Sequence, residues 1–395
     1  MNIYEESLMK HASSKGKIAI KSKVKVTNKH ELSVYYSPGV AEPCREIAKN
    51  PELVYTYTSK QNTIAVISDG SAVLGLGNIG PKAAIPVMEG KAILFKKFAN
   101  IDAIPICLDT NDTEEIIRTC KIIAPTLGGI NLEDISSPRC IEIERRLIEE
   151  LDIPIMHDDQ HGTAIIVAAA LINACKLIDK KMSDLVISMS GTGAAGSAIA
   201  KTLKSLGVKD IYAFNRKGAV SQSKHNSYDF LVKELLDQNI VSSFDCSKGD
   251  SLADVIAGSD VFIGVSVAGV VSKDMVRSMN NKPVIFGLSN PIPEIMPEDA
   301  FEAGAYIVGT GRSDYPNQVN NLLAFPGIFR GALDAKAKKI TPEMKMAASF
   351  AIASLVSDEE LTTNYIIPSP FDKRVVKAVS KAVKAEAIKQ GITRK

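Results

Sequence analysis

The 395-residue sequence predicts an α/β protein with two domains, and three observations support this fold class. Short apolar runs alternate with helical patterns in the first half, and the second half repeats strand, turn and helix at regular intervals. A glycine-rich loop, GTGAAG at 191–196, joins a strand pattern to a helix pattern. We expect an N-terminal α/β domain over residues 1–160. A Rossmann doubly wound parallel sheet with C-terminal helices should follow over residues 161–395.

The first domain contains candidate strands and helices in alternation. The runs NTIAVIS, AIPICLD and IPIMHDD have the length and apolar character of buried strands, whereas EEIIRTCKIIAP and CIEIERRLIEEL have helical periodicity. The strand IPIMHDD should end at Asp158 and Asp159. The next helix should begin at Gly162 or Thr163 and continue through the apolar stretch AIIVAAALINA.

The second domain shows the rhythm of a nucleotide-binding sheet. The strand pattern DLVISMS leads into the glycine loop, and AAGSAIAKTLKSLG reads as a helix followed by the strand DIYAFN. Three further strand candidates, DVFIGVS, PVIFGLS and AYIVGT, are each followed by turn-forming residues. From Ile340 onward the pattern is helical, with a proline-rich break at IIPSPFD.

Composition excludes several classes of protein. The net charge of +2 gives no reason to expect a nucleic-acid or membrane partner, and the basic stretch 15–29 reads as a solvated face or a subunit-contact arm. Six cysteines without a C-x-x-C pair indicate reduced thiols in a cytoplasmic protein. The N-terminus lacks the apolar core of a signal peptide, and the most apolar helix pattern is too short to be a convincing membrane span.

The glycine loop has the spacing of a dinucleotide-binding fingerprint. Gly191 allows the tight turn, Gly193 lets backbone approach a pyrophosphate, and Gly196 lets the helix pack on the sheet. Thr192, Ala194 and Ala195 complete the loop, and the helix that begins there directs its N-terminus at the anion. The alternative is an ordinary glycine-rich turn between a strand and a helix.

The end of the following strand bears on the choice of cofactor. An acid at this position would bind the ribose 2′-hydroxyl of NAD, whereas a basic residue suits the 2′-phosphate of NADP. The sequence AFNRKG has Asn215, Arg216 and Lys217 and no acid. We therefore expect the protein to use NADP, or at least to tolerate it beside NAD.

The stretch IPIMHDDQHGTA raises the question of a metal. His157 and His161 are four residues apart, as in a zinc-binding H-E-x-x-H helix, but they should straddle a strand–helix junction and so cannot project from one helix face. Asp158 and Asp159 end a strand, where open α/β sheets bind ligands. A second acid pair, in NLEDI, also follows an apolar run. Carboxylate oxygens suit Mg²⁺ or Mn²⁺, although an acid pair is more often a solvated turn or a helix cap.

Several long motifs, in order along nearly the whole chain, resemble those of the malic enzymes, specifically the shorter bacterial type. YYSPGVAEPC resembles the tyrosine motif of that family, and SDGSAVLGLGNIGPKAAIPVMEGKAILFK resembles its glycine-rich segment, which ends in a catalytic lysine. NLEDI and HDDQHGTA resemble its metal-ligand motifs. GLSNP and QVNNLLAFPG resemble its two asparagine motifs.

The resemblance implies an N-terminal domain of the amino-acid-dehydrogenase-like type, a reaction, a set of site residues and a homodimer. The reaction is the oxidative decarboxylation of L-malate to pyruvate and CO₂, with reduction of NADP or NAD and with Mg²⁺ or Mn²⁺. The rival reading is a metal-independent amino- or hydroxy-acid dehydrogenase without decarboxylation. The implied residues are Lys91 as base, Tyr36 as acid and Asp158 as their proton-handling neighbour, with Glu133, Asp134 and Asp159 as metal ligands, and with Asn290 and Asn320 contacting substrate and the nicotinamide end.

One position departs from the pattern. Long-form members of the family carry an arginine shortly after the Asp-Gly of the glycine-rich segment, where it pairs with a substrate carboxylate, but this chain has Ala72 there. Another donor must neutralise malate. Arg312 and the backbone amides of residues 75–80 are the candidates.

Overall fold

The computed structural model describes residues 2–73 and 75–394, which form two sheets and their covering helices. The first sheet has four strands, all parallel, in the order β2-β1-β3-β4. The elements of this part are α1 (Ile3–Ser14), α2 (Lys29–Tyr35), α3 (Ala41–Lys49), α4 (Val54–Tyr57), β1 (Thr63–Ser68), α5 (Gly80–Ala99), β2 (Asp102–Cys107), α6 (Thr113–Ile123), β3 (Gly129–Leu132), α7 (Arg139–Glu150), β4 (Ile155–His157) and α8 (Asp158–Ile178).

The second sheet has six strands in the order β10-β9-β8-β5-β6-β7. The order reverses between β5 and β8, which is the point where doubly wound sheets bind dinucleotides. The elements are β5 (Val186–Ser190), α9 (Ala194–Ser205), β6 (Asp210–Asn215), β7 (Gly218–Ala219), α10 (Phe230–Asp237), α11 (Leu252–Ile256), β8 (Val261–Gly264), α12 (Lys273–Arg277), β9 (Val284–Gly287), α13 (Pro297–Glu302), β10 (Ile307–Thr310), α14 (Phe325–Asp334), α15 (Pro342–Ala353) and α16 (Arg374–Lys389).

This architecture confirms the predicted fold class, with one difference at the edge of the second sheet. The five strands from β5 to β10 other than β7 are parallel, but β7 runs antiparallel to β6. Only the turn at Arg216 and Lys217 separates the two strands, so no crossover helix can form and the chain must fold straight back. The sheet is therefore mixed, not wholly parallel.

The helix α8 begins earlier than the sequence predicts. The strand β4 ends at His157, and α8 starts at Asp158, four residues before the expected Gly162. Acidic side chains are favourable in a first helical turn because the helix N-terminus carries partial positive charge. Asp158 and Asp159 thus belong to the helix and not to the strand. The predicted domain boundary at residue 160 also falls in this first turn.

The C-terminal helices pack on the first domain as well as on the second. The ring of Phe95 in α5 lies 4.7 Å from that of Phe325 and 5.4 Å from that of Phe329, both in α14. All three rings are fully buried in the main core. One helix, α8, is long and apolar enough to cross a membrane, but 72% of its most apolar window is buried inside the protein.

The N-terminal segment, residues 2–50, differs from the rest of the chain. Its helices α1, α2 and α3 contain no buried residue. It is attached to α5 by Lys17, whose backbone N–H donates to Glu89 Oε2 at 3.0 Å and whose Nζ donates to the Pro86 carbonyl at 2.6 Å. Many of its apolar side chains are exposed, among them Ile3, Tyr4, Leu8, Met9, Ile20, Leu32, Val34, Tyr35 and Tyr36.

Candidate active site

The site is built where two neighbouring parallel strands end. Because β3 and β4 pair side by side, the residues that follow them meet at one edge of the sheet. Glu133 follows β3, and Asp158 follows β4 as the first residue of α8. Lys91 reaches the same place from the middle of α5, the helix that follows β1. A single-chain fold therefore brings together three residues that are far apart in sequence.

Lys91 is the centre of this group. Its Nζ lies 2.7 Å from Asp158 Oδ2 and 2.9 Å from Glu133 Oε1, and 4.3 Å from the centre of the Phe325 ring. The lysine is buried, and so are both carboxylates. Asp158 Oδ1 has no hydrogen-bond partner among the described residues. The buried cluster therefore retains an acceptor that no described residue satisfies.

Three carboxylates beside Lys91 have the geometry of a cation site. Glu133, Asp134 and Asp159 each offer an oxygen, and these oxygens lie within 4.8 Å of one another. The backbone N–H of Asp134, a residue with φ of +53°, donates to Asp159 Oδ2 at 2.8 Å, which joins the loop after β3 to the first turn of α8. An all-oxygen donor set of this kind fits a hard divalent cation such as Mg²⁺ or Mn²⁺. The unsatisfied Asp158 oxygen beside it agrees with that fit.

The carboxylates repel one another strongly. Burial, followed by the charges of Asp159, Asp158 and Asp134, raises the pKa of Glu133 well above its usual value, against the opposing effect of Lys91. Burial likewise raises the pKa of Asp158, although Lys91 opposes it. Burial also tends to raise the pKa of Asp159, but the effects of His157 and Lys91 are larger, and the pKa lies below its usual value. Four carboxylates face one ammonium here, which favours a further cation.

The charge state of Lys91 differs from what a catalytic base requires. Burial lowers its pKa, but Asp158 and Glu133 outweigh burial and the pKa lies above the usual lysine value. Lys91 is therefore protonated in this state. A base role needs the negative charge of Glu133 or Asp158 to be neutralised, since those two charges hold the proton on the lysine.

The two histidines frame the site and are absent from the oxygen cluster. Buried His157 donates its backbone N–H to Glu144 Oε1 at 2.8 Å, and its Nε2 lies 3.2 Å from Asp159 Oδ2. His161 Nε2 lies 2.8 Å from Glu144 Oε2. Burial raises the pKa of Glu144, but His161 and Lys345 outweigh it and hold the pKa at about 2. An ionised Glu144 thus ties down the turn that carries Asp158 and Asp159.

Several residues at the site escaped the sequence reasoning. Asn321 donates from Nδ2 to Asp158 Oδ2 at 2.5 Å, whereas its neighbour Asn320 uses Oδ1 to accept the Leu322 N–H at 2.9 Å. The doubled asparagine of QVNNLL was the available signal. Gly162 is required because a Cβ there would lie 2.2 Å from Asp158 Oδ1.

Arg139 is a second residue that the sequence did not suggest. Its Nη2 donates to Asp69 Oδ2 at 2.9 Å, to Ser71 Oγ at 3.0 Å and to Ser136 Oγ at 2.9 Å. It thereby joins the loop after β1 to the loop after β3. The same two loops are linked by the Ala72 N–H, which donates to the Asp134 carbonyl at 3.0 Å.

Three of the predicted positions have their contacts outside the Lys91 cluster. Asn290 lies near the Gly75 turn, where a Cβ on that glycine would be 3.5 Å from the Asn290 carbonyl oxygen. Arg312 forms two bonds with Asp314, of 2.9 and 2.6 Å, so its guanidinium is already paired. Ala72 is exposed beside the Asp134 loop.

Tyr36 is the predicted residue that differs most from expectation. It is the C-cap residue directly after α2 in the N-terminal segment, and 69% of its surface is exposed. Among residues 2–73 and 75–394, no hydrogen bond or ring contact is made by its side chain. The fold of a single chain thus does not bring its hydroxyl into contact with Lys91.

The glycine loop has the geometry of a pyrophosphate-binding turn. Gly191 has φ of +106°, and a Cβ there would lie 2.6 Å from the Val265 carbonyl oxygen. A Cβ on Gly196 would lie 2.1 Å from the Gly191 carbonyl oxygen, so the helix packs on the turn only with glycine. Gly193 has open space around it, where a ligand can approach the backbone.

A cavity of about 640 Å³ adjoins this loop. It is lined by the loop, by the ends of β5 and β6 and by residues 265–270 after β8, so it occupies the point where strand order reverses. Asn215 donates from Nδ2 to Thr192 Oγ1 at 3.2 Å and accepts the Lys217 N–H at 2.8 Å, which holds the turn. Exposed Arg216 also lines the cavity. The volume is large enough for one of the two nucleotide halves of a dinucleotide.

Comparison with known proteins gives a consistent result over both halves of the chain. The family model of the malic enzyme N-terminal domain matches residues 14–148, and that of the malic enzyme NAD binding domain matches residues 160–392. The chain is 56% identical to the bifunctional malic/malolactic enzyme of Bacillus subtilis, over 100% of this chain and 95% of that protein. It is 53% identical to the NAD-dependent malic enzyme of Geobacillus stearothermophilus, over 100% of this chain and 81% of that protein.

Solved structures agree with the sequence matches. The crystal structure of an NAD-dependent malic enzyme from Thermotoga maritima superposes with a TM-score of 0.90 at 48% identity, covering 96% of this chain and 98% of that one. The malic enzyme of Entamoeba histolytica gives a TM-score of 0.93 at 37% identity, covering 99% of this chain and 82% of that one. The fold is thus shared over 96% and 99% of this chain in the two comparisons.

Proposed function

The chain belongs to the malic enzyme family, and on that basis we propose how its residues carry out the oxidative decarboxylation of malate with a nicotinamide cofactor. The family resemblance seen in the sequence is confirmed. The chain is an NAD(P)-dependent malic enzyme, and no observation on the described residues favours the metal-independent dehydrogenase. The observation that supports the assignment of roles below is the buried group of Lys91, Glu133 and Asp158.

In the proposed reaction Lys91 accepts the proton of the malate C2 hydroxyl while hydride passes to the nicotinamide. Its ammonium is protonated so long as both Glu133 and Asp158 are charged and close. Neutralising Glu133 weakens the electrostatic attraction that keeps the proton on Lys91, so that Lys91 can act as a base. Asp158 remains beside Lys91, oriented by Asn321, as the group that shares its proton.

The metal site we propose consists of Glu133, Asp134 and Asp159. A divalent cation bound there would supply Lewis-acid polarisation of the substrate oxygen. Of these side chains Asp159 is the most open, with 35% of its side chain exposed, so malate should enter from that side.

Asn290 and Asn320 remain proposed contacts for substrate and the nicotinamide end. The donor that replaces the arginine missing at Ala72 is proposed to be the backbone of residues 75–80, because Arg312 is paired with Asp314.

We propose a homodimer in which the N-terminal segment is covered by a second copy. The helices α1 and α2 expose several large apolar side chains, and exposed apolar surface of this kind is a common feature of protein–protein interfaces. Tyr36, the proposed acid that protonates C3 of the enolate, belongs to this surface. If a second copy covered the segment, the Tyr36 hydroxyl would be less exposed to solvent. A tyrosine acts as an acid more readily in a site shielded from water.

We propose that both NADP and NAD bind in the cavity beside the glycine loop, with NADP preferred. Support comes from the absence of an acid at the end of β6 and from exposed Arg216 at the cavity edge. We also propose a cytoplasmic enzyme, since its six cysteines are unpaired and α8 is a core helix.

The experiment that tests the proposal follows NADP and NAD reduction in parallel with L-malate and Mn²⁺, and measures pyruvate and CO₂ in the same samples. We expect pyruvate to match reduced cofactor one to one, and activity to disappear on addition of EDTA and return with Mn²⁺. Oxaloacetate accumulating in place of pyruvate, or activity indifferent to EDTA, would show that the carboxylates are structural. Faster turnover with NAD than with NADP at equal concentration would overturn the preference alone.

A further inference from the structure

A second cavity, of about 270 Å³, lies apart from both the Lys91 cluster and the dinucleotide pocket. It is enclosed by α7, the first turn of α8, α9 and the start of α15. Leu231 is the residue that it shares with the lining of the dinucleotide pocket, and none of the proposed catalytic or metal residues lines it. Its volume is close to the lower end of the range for small-molecule sites.

The cavity carries an excess of positive charge. Four cationic side chains line it, whereas the carboxylates in and beside it are Glu144 and Glu234. Both acids are already engaged. Glu144 accepts bonds from the His157 backbone and from the Gln160 and His161 side chains, and Glu234 accepts two bonds from Arg145 and one from Lys201. The cations of the lining are Arg145, Lys201, Lys339 and Lys345.

Two lining cations have no hydrogen bond or ion pair among the described residues, exposed Lys339 and Lys345, and Lys345 is the one that burial sets apart. It is partly buried, and among the described residues its ammonium makes no hydrogen bond and no ion pair. It also lies in the first turn of α15, where the helix dipole is positive and a lysine is unfavourable. Burial lowers the pKa of this lysine, with Glu144 opposing. A desolvated cation at a helix N-terminus is costly unless an anion accompanies it.

The remaining wall of the cavity is apolar. Ile141 and Ile148 of α7 line one side, and Leu231 and Ile340 line others. An inorganic ion would leave this apolar wall exposed to water, whereas a ligand with a short carbon body would cover it. The combination of a partly buried, unpaired ammonium and aliphatic walls is typical of a site for a small amphipathic anion.

We propose that this cavity binds a small organic acid, whose carboxylate or phosphate group pairs with Lys345 and whose short carbon body lies against the apolar wall. The floor of the cavity is formed by Glu144, Gln160 and His161. Since His161 and Gln160 lie in the turn that begins with Asp158 and Asp159, an occupant contacts the same turn that carries two proposed active-site acids. Occupancy of the cavity is therefore proposed to alter malate turnover, and this second statement rests on the proposed function.

Binding is tested by calorimetry on the full-length protein without malate or cofactor. The probes are propionate and ethyl phosphate, with sodium chloride at equal ionic strength as the reference anion. We expect both probes to bind more tightly than chloride, and the tighter of the two identifies the anionic group. Lys345→Met should weaken binding roughly tenfold because a charge-assisted hydrogen bond is lost. Lys345→Arg should restore it, and Lys338→Met, at an exposed lysine outside the lining, should leave it unchanged.

Hydrogen–deuterium exchange locates the bound probe. Peptides that cover residues 141–148 and 340–345 should exchange more slowly with the probe present, and peptides that cover 265–270 beside the glycine loop should not change. Equal affinity of wild type and Lys345→Met, or protection confined to 265–270, would overturn the proposal. Malate turnover, assayed separately on the same preparations, tests the proposed function, so failure of one leaves the other standing.

Discussion

The Lys91 cluster and the N-terminal segment are built in opposite ways. In the cluster every proposed catalytic side chain is fixed by contacts within the chain, with Lys91 between Asp158 and Glu133 at 2.7 and 2.9 Å. In the segment no helix has a buried residue, and Tyr36 is 69% exposed. Two residues of the same proposed proton-transfer machinery thus lie in unlike environments.

The difference shows which part of the site a single chain can complete. Buried charges are tolerable only when they are paired, so the cluster must be assembled as the chain folds. The apolar side chains of the segment gain nothing from the chain's own core, and their burial depends on association. Substitutions in the first region should therefore change both stability and turnover. Substitutions in the second should change turnover or assembly and leave the folded chain intact.

The largest effect is expected from Lys91→Ala. Loss of a proposed general base should lower kcat about 10²- to 10⁴-fold. It should also lower the melting temperature, because Glu133 and Asp158 lose their cation. Lys82→Ala, at an exposed lysine on the same helix, is the matched control and should be near wild type in both measurements. An unchanged kcat in Lys91→Ala would remove this lysine from the mechanism.

Tyr36→Phe should separate turnover from stability. The expected result is a fall in kcat of roughly 10²-fold with no change in melting temperature, since the exposed hydroxyl contributes nothing to the fold of the chain. Tyr35→Phe, at the neighbouring half-exposed tyrosine, is the control and should keep full activity. If both variants behave alike in steady-state assays, Tyr36 has no special role.

Val34→Asp tests whether the N-terminal segment is an interface. A carboxylate in a covered apolar patch should weaken association on the order of a hundredfold, seen as a halved mass in size-exclusion chromatography with light scattering. Val34 is 48% exposed, and Ile388 in α16, at 56%, offers a comparable position away from the segment. Ile388→Asp should remain dimeric. A wild-type chain that is monomeric at micromolar concentration would refute the dimer outright.

The smallest of these effects is expected from Arg139→Met, in the region of the Lys91 cluster. The variant loses the bonds that join Asp69, Ser71 and Ser136, so the loop that carries Asp134 is held less firmly. The Mn²⁺ concentration for half-maximal activity should rise about tenfold, while kcat at saturating Mn²⁺ changes little. Arg118→Met, at an exposed arginine on α6, should not alter the metal dependence. A loss in kcat alone would point to a different role for Arg139.

The sequence by itself determined the fold class, the family and the places where site residues gather. Strand and helix periods, the glycine spacing and the acids that follow β3 and β4 are local patterns, and parallel strands bring their ends together by geometry alone. The start of α8 was missed because its first turn reads equally well as the end of a strand. The acids at Asp158 and Asp159 gave the only hint of a helix N-terminus there.

Tertiary structure alone decided which side chains touch and in what charge state. Asn321, and not its neighbour Asn320, reaches Asp158, because the 3-10 turn at Asn321–Leu323 points the two amides in different directions. The pKa of Lys91 is raised by carboxylates 42 and 67 residues away in the chain, and no local pattern carries that information. Burial and pairing of charge are properties of long-range contacts, so they follow only once the whole chain has folded.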